Sequence, residues 1–171
     1  MATMTRTPKA SDLDRDTRDL YAALNDLVRL YQFRDRDTIC CHDISVTQCY
    51  ALQSLARGGA MTLTALAKDL MLDKSTTSRV AETLERKGYV RRAAHPNDAR
   101  AMNIEMTAKG RKLCSCIEDE LLAEEKAIMA KLDPEVRRAA IGVVRDLAGL
   151  AAARVGRVAA CCSTPEEPCK C

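Results

Sequence analysis

The chain has 171 residues, of which 30% are Asp, Glu, Lys or Arg, and a formal net charge of +3. That length buries enough surface for a core without disulfide staples. No stretch is apolar enough for a secretory signal or a membrane span, so a cytoplasmic protein that stays off the membrane is expected. The nine cysteines in a reducing compartment then speak for metal binding or redox chemistry. Charge is uneven: residues 74–112 hold ten Lys/Arg against four Asp/Glu, between two mildly acidic flanks. A local basic segment of this kind fits a nucleic-acid footprint.

A helical pattern begins at Ser11, with Leu20, Ala23, Leu24, Leu27, Val28 and Tyr31 recurring at spacings of three and four, and is expected to end near Phe33. "CCHDISVTQC" follows. Inside it, Ser45 and Gln48 fit a capping box opening a second helix from Val46 to about Arg57, which Gly58-Gly59 stops. Thr62 caps a short third helix with Leu63, Leu66, Ala67 and Leu70 on one face. Asp73 caps a fourth, "KSTTSRVAETLERK", with Val80 and Leu84 inward and Gly88 at its end. Two short helices joined by "MLD", the second polar over its first turns, read as a helix-turn-helix. "YVRRAA", a turn at Pro96-Asn97 and "MNIEMT" make a two-stranded hairpin in the place of a wing. Thr107 caps a long fifth helix to about Leu132, with Leu113, Ile117, Leu121 and Ile128 on one side. Asp133-Pro134 restarts a sixth reaching about Ala160, in which Gly142, Gly149 and Gly156 form a stripe that suits close backbone approach. The fold class is mainly α with a small β-hairpin.

"TLTALAKDLMLDKSTTSRVAETLERKGYVRR" followed by "NDARAMNIEMTAKG" resembles the MarR family of winged-helix transcriptional regulators, the second stretch matching that family's wing pattern of Asp-x-Arg, a strand, then Thr-x-x-Gly. The resemblance covers roughly residues 12–158. It implies a winged helix-turn-helix with long dimerisation helices, in a homodimer pairing through helices 1, 5 and 6 across a palindromic operator. Residues 1–11 are expected to be a mobile start, 12–44 a dimerisation helix with its cysteine-bearing junction, 45–106 the DNA-binding lobe, 107–160 two further dimerisation helices, and 161–171 a cysteine-rich tail. The fourth helix presents Lys74, Ser75, Thr76, Thr77, Ser78 and Arg79 at its start, where free amides favour phosphate and short side chains let a helix enter the major groove. Thr76 and Thr77 are candidates to read bases; Ser75 and Arg79 suit phosphate positioning, which carries affinity but little sequence information. Arg100 looks like the family's minor-groove arginine, with Asp98 placed to hold its guanidinium and Arg91 and Arg92 flanking on the backbone. Thr107 and Gly110 are assigned to structure, as cap and close packing.

In the family, helices 1, 2 and 5 surround a crevice where effectors commonly act, and "CCHDISVTQC" is the junction of the first two. Cys40 and Cys41 are placed in the connection and Cys49 on the apolar side of the second helix. These three are the primary metal-ligand candidates. His42, Cys114 and Cys116 are secondary candidates, Cys116 favoured for its place near Leu113 and Ile117, and Cys161, Cys162, Cys169 and Cys171 are a candidate second site in the tail. Three thiolates suit As(III); three with His42 suit Zn(II); Hg(II) and Cu(I) are further candidates. Adjacent Cα atoms, about 3.8 Å apart, fall short of the usual disulfide range of about 4.4–6.8 Å, which disfavours a Cys40–Cys41 bridge.

The expected function is a DNA-binding repressor released from its operator when a thiophilic ion, arsenite first, binds its cysteines. One alternative is a regulator of the same fold switched by thiol oxidation; another is a metal buffer without specific DNA function. No enzyme is expected, since His42 and His95 are the only histidines and neither a phosphate-binding glycine loop nor paired carboxylates suggest a catalytic centre. No metal or other cofactor is expected to be required for the fold.

Overall fold

The computed structural model describes the backbone of residues 10–95 and 98–161 and the side chains of 12–94 and 102–154. Its elements are α1 (Ala10–Cys40), α2 (Val46–Gly58), β1 (Met61–Thr62), α3 (Leu63–Asp69), α4 (Lys74–Arg86), β2 (Val90–His95), β3 (Asp98–Met106), α5 (Ala108–Met129) and α6 (Pro134–Cys161). The chain divides into two compact units, one ending at Leu122 and the other starting at Ala123.

In the first unit the local signals act as read. Gln48 N–H donates to Ser45 Oγ and Ser45 N–H to Gln48 Oε1, each at 3.2 Å, which completes the capping box of α2. Thr62 Oγ1 accepts from Ala65 N–H at 3.2 Å at the start of α3. Gly88, at φ 75°, ends α4: Gly88 N–H donates to Glu85 O and Tyr89 N–H to Leu84 O, the paired bonds that satisfy the last carbonyls of a helix ended by a left-handed residue. Leu52, Leu55, Leu66, Leu84, Val90, Ile104 and Ile117 form one buried core with Ile39 and Ile44. Fully burying such a side chain contributes about 1.5–3 kcal/mol.

Three expectations change. The first helix does not stop near Phe33 but runs to Cys40. Its charged stretch keeps helical spacing, with Tyr31 and Ile39 eight apart and Asp35 between them, and Ile39 is buried. Arg34 stacks on Tyr31 and pairs with Asp35 at 2.8 Å, and Arg36 stacks on Phe33, so the charges support the helix. Cys40 is therefore helical, and the turn begins at Cys41. The wing, too, is more than a hairpin: β1 pairs antiparallel with β3, Met61 opposite Ile104 and Thr62 opposite Asn103, giving the order β1-β3-β2. Two residues are too short to show a strand period. Lastly, α5 ends at Met129, and Ala130 to Leu132 form a turn before α6.

In the second unit α6 exposes Val136, Ile141, Val143, Val144 and Leu150. A Cβ added at Gly142 or Gly149 would meet nothing within 4 Å, so among the described residues no backbone approaches that part of the stripe; the side-chain position of Gly156 lies outside the described residues. Among the described residues no helix is long and apolar enough to cross a membrane.

Gly110 has no such freedom. A Cβ there would sit 2.1 Å from Tyr89 O and 2.8 Å from Met106 Cγ. Gly110→Ala is expected to cost roughly 1–3 kcal/mol, read as a lowered Tm; an unchanged Tm would contradict this packing.

Candidate nucleic-acid interface and thiol sites

The start of α4 is organised by Asp73. Its carboxylate accepts from Thr76 N–H at 2.8 Å, from Ser75 Oγ at 2.6 Å and from Thr76 Oγ1 at 2.7 Å. The Ser75 hydroxyl, followed by the Thr76 amide and hydroxyl, holds the Asp73 carboxyl well below the usual carboxylate range. Both hydroxyl hydrogens are thereby turned toward Asp73, and the oxygens keep lone pairs for a donor from outside. Lys74, Ser75 and Arg79 are exposed and Thr76 half-buried. Ser78 Oγ donates to Glu82 at 2.9 Å.

Thr77 leaves the set of base readers. Its side chain is fully buried and its hydroxyl donates to Asp73 O at 2.8 Å. It lies four residues before Ala81 and seven before Leu84, on the stripe that faces the core. A hydroxyl residue at helical spacing to the apolar positions is the signal that separates it from Thr76.

At the wing, Arg91 pairs with Glu105 at 2.8 Å, and Arg92 reaches Glu85 at 3.4 Å and Glu82 at 3.8 Å. Their guanidiniums are thus shared with carboxylates, whereas Lys74 and Arg79 have no ion-pair partner among the described residues. Asp98 begins β3 and Arg100 lies within it, but both side chains lie outside the described residues.

The thiols separate by environment. Cys49 and Cys114 are buried with the core, and Cys40, Cys41 and Cys116 are exposed. Burial, reinforced by the neighbouring Cys114 and by Asp35, pushes the Cys49 thiol up to about 11. The expected trio of Cys40, Cys41 and Cys49 is therefore not brought together: the first two lie on the surface where α1 ends, Cys41 Sγ donating to Asp37 O at 3.3 Å, while Cys49 faces the core. Cys114, rather than Cys116, takes the buried place beside Ile117, while Cys116 is the one that meets His42 of the junction. Cys114 lies on the stripe Gly110–Cys114–Ile117, three residues from Ile117, while Cys116 is about 100° away from Ile117 around the helix.

Among the described residues the donor atoms of His42, Cys116 and Glu120 lie within 4.8 Å of one another. His42 Nε2 is 2.9 Å from Glu120 Oε2, and Cys116 Sγ is 3.6 Å from Glu120 Oε1. The hydrogen bond from His42 lowers the Glu120 carboxyl; partial desolvation and then Glu120 raise the Cys116 thiol. Glu120 was absent from the sequence candidates, although its place four residues after Cys116 puts it on the same helix face. Of the tail, Cys161 ends α6 with its side chain outside the described residues, as are Cys162, Cys169 and Cys171 entirely.

A MarR family profile matches residues 44–102, from the junction into the wing. An uncharacterized HTH-type transcriptional regulator of Mycobacterium bovis is 33% identical over 134 residues, covering 75% of this chain and 91% of the relative. The chain belongs to the MarR family.

The multiple antibiotic resistance protein MarR of Salmonella typhimurium is 31% identical over 107 residues, 58% of this chain and 74% of that protein. In fold, the chain resembles a MarR family protein from Bacillus stearothermophilus, with a TM-score of 0.75 at 22% identity over 81% of this chain and 97% of the other. It also resembles an S. aureus MepR mutant solved bound to an oligodeoxyribonucleotide, with a TM-score of 0.56 at 23% identity over 76% and 97%. As a MarR family member the protein is a DNA-binding transcriptional regulator, and family members are in general not enzymes.

The separation of thiols predicts a labelling order. In the folded, reduced protein at pH 8, iodoacetamide should modify the exposed Cys40 and Cys41 well before Cys49, because Cys49 is buried and its thiol, raised to about 11, holds little thiolate. Peptide mass spectrometry over time reads this directly, and equal rates for Cys41 and Cys49 would contradict the burial.

Proposed function

We propose that the protein is a homodimeric repressor that binds a palindromic operator and is released when a thiophilic metal or metalloid binds its cysteines. Arsenite is the first candidate effector. The dimer reading is supported within each unit separately: α1 exposes Leu20, Leu24, Leu27 and Val28 at helical spacing, and α6 exposes its own apolar run. Paired recognition helices one helical turn of DNA apart, about 34–36 Å, would fit an operator of two-fold symmetry. For DNA contact, Lys74, Ser75, Thr76, Ser78 and Arg79 at the start of α4 are the proposed set, joined at the wing by Arg91, Arg92 and Arg100 with Asp98.

The observation that carries the effector reading is a tie between the cysteine-bearing junction and α4. Asp43, two residues after Cys41, has φ 58°. Its carboxylate accepts from Lys87 Nζ at 3.0 Å, and its carbonyl accepts from the same ammonium. Lys87 directly follows Arg86, the last residue of α4. A thiolate ligand that rearranges residues 40–43 would therefore act on the end of the recognition helix. Complete conversion of a 99:1 population needs about 5.5 kcal/mol of differential affinity, toward which bonds to the exposed Cys40 and Cys41 thiolates would contribute. Oxidation is less well supported, since the buried Cys49 and Cys114 have raised thiols and a thiolate is the reactive form. A buffer without DNA function runs against membership in a family of DNA-binding regulators.

Fluorescence anisotropy with DNA from upstream of the protein's own coding sequence tests both halves. Arg79→Ala should weaken binding and reduce the magnitude of the log–log salt slope by about 1.8, the release expected for one phosphate contact in each of the two subunits; Thr77→Val should leave the slope unchanged. Arsenite should release the reduced wild type but not the Cys40→Ser/Cys41→Ser variant. Unchanged operator affinity with arsenite, Hg(II), Cu(I) and Zn(II) alike would overturn the effector reading.

A further inference from the structure

We propose that His42, Cys116 and Glu120 form a binding site for a divalent cation of the Zn(II) class, joining the junction after α1 to the middle of α5. The regulatory consequence rests on the metal-responsive reading above; the site itself rests on geometry. Its three donor atoms already lie within 4.8 Å of one another. Ligands around a tetrahedral zinc at its usual bond lengths stand about 3.3–3.8 Å from each other, so small side-chain rotations complete the shell. Cys116 and Glu120 are one helical turn apart on α5, which fixes two donors on a regular element, and His42 comes from a separate segment seventy-eight positions from Glu120. His42 and Glu120 side chains are 19% and 46% exposed, so an ion can enter from solvent.

The donor chemistry selects the ion. One thiolate, one imidazole and one carboxylate suit Zn(II), whose sites mix sulfur, nitrogen and oxygen donors. As(III) would want three thiolates, and Mg(II) or Ca(II) an all-oxygen shell. Thiolate and carboxylate together bring two negative charges to a doubly charged cation, with the imidazole neutral. On binding, the Cys116 thiol proton leaves to solvent, and zinc replaces the hydrogen bonds that now link Glu120 to His42 and Cys116. A water molecule takes the fourth position. The mechanical consequence follows from neighbourhood: His42 immediately precedes Asp43, which holds Lys87 at the end of α4. Drawing His42 onto α5 therefore fixes the residue that positions this clamp.

The test uses the full-length reduced protein titrated with Co(II), followed by displacement with Zn(II). Because other cysteines can bind metal, the site is read by difference. His42→Ala and Cys116→Ser should each lose one metal equivalent and the visible bands of tetrahedral Co(II) bound by mixed sulfur and nitrogen donors. Glu120→Gln should weaken the same equivalent by at least about tenfold, as changes around metal ligands commonly do. Metal-free circular dichroism and Tm should match wild type, since Cys116 and Glu120 are exposed and His42 lies in a turn. Unchanged stoichiometry and spectra in both His42→Ala and Cys116→Ser would overturn the site. Operator affinity measured in parallel separates the two claims. Zinc bound here with unchanged operator affinity upholds the site and overturns its regulatory role; arsenite release without any zinc equivalent lost in Cys116→Ser upholds the effector reading and overturns the site.

Discussion

Four parts of the first unit meet at the loop Lys87–Tyr89, and its organisation depends on that meeting. The Lys87 ammonium holds Asp43 in the junction between α1 and α2, while the Lys87 carbonyl accepts from Lys109 in α5 at 2.8 Å. Thr107 donates its hydroxyl to Gly88 O at 2.7 Å, and its own amide donates to Tyr89 O at 3.0 Å. Gly110 then brings α5 so close to Tyr89 that no side chain fits between them. The loop turns through the left-handed conformation of Gly88, which glycine adopts without steric cost. The end of the recognition helix, the base of the wing, the start of α5 and the junction are thus held by one short segment of backbone.

The other end of α4 is built differently. Asp73 caps the helix and holds the Ser75 and Thr76 hydroxyls at once, which orders the surface proposed to meet DNA before any DNA arrives. Preordering of this kind lowers the entropy lost on binding. Charge divides between the wing and the helix: Arg91 and Arg92 are engaged by Glu105, Glu82 and Glu85, whereas Lys74 and Arg79 face outward. In the proposed complex the cations of the helix would meet phosphate without first giving up a carboxylate partner.

Much of this was legible in the sequence because it is local. Ser45 with Gln48, Thr62, Asp73 and Gly88 each act within a few residues, and each appears in the structure where its spacing put it. What escaped reading is nonlocal or shares its signal with something else. Strand β1 consists of two residues whose only signature is their pairing with Ile104 and Asn103 across the unit. The last turns of α1 were hidden because their helical face is carried by Asp35 and a stacked Arg34 rather than by apolar residues. Thr77 and Thr76 are neighbours of one residue type, and only the phase of the helix sends one to the core. Closeness in sequence groups Cys40, Cys41 and Cys49, yet the α1–α2 turn sends Cys49 inward and Cys41 outward, while His42 finds its partners on α5. No spacing rule within "CCHDISVTQC" contains Glu120.

The ion site proposed beside Asp43 and the α4 surface proposed to meet DNA would be coupled through the Lys87 loop. Coupling between two ligands on one protein is reciprocal, so it is tested most directly by measuring Zn(II) affinity in the free protein and in the operator-bound protein under the same reduced, fixed-salt conditions. Zinc should bind more weakly in the DNA complex, by the same factor by which saturating zinc weakens operator binding. Equal zinc affinities in the free and DNA-bound protein would contradict it.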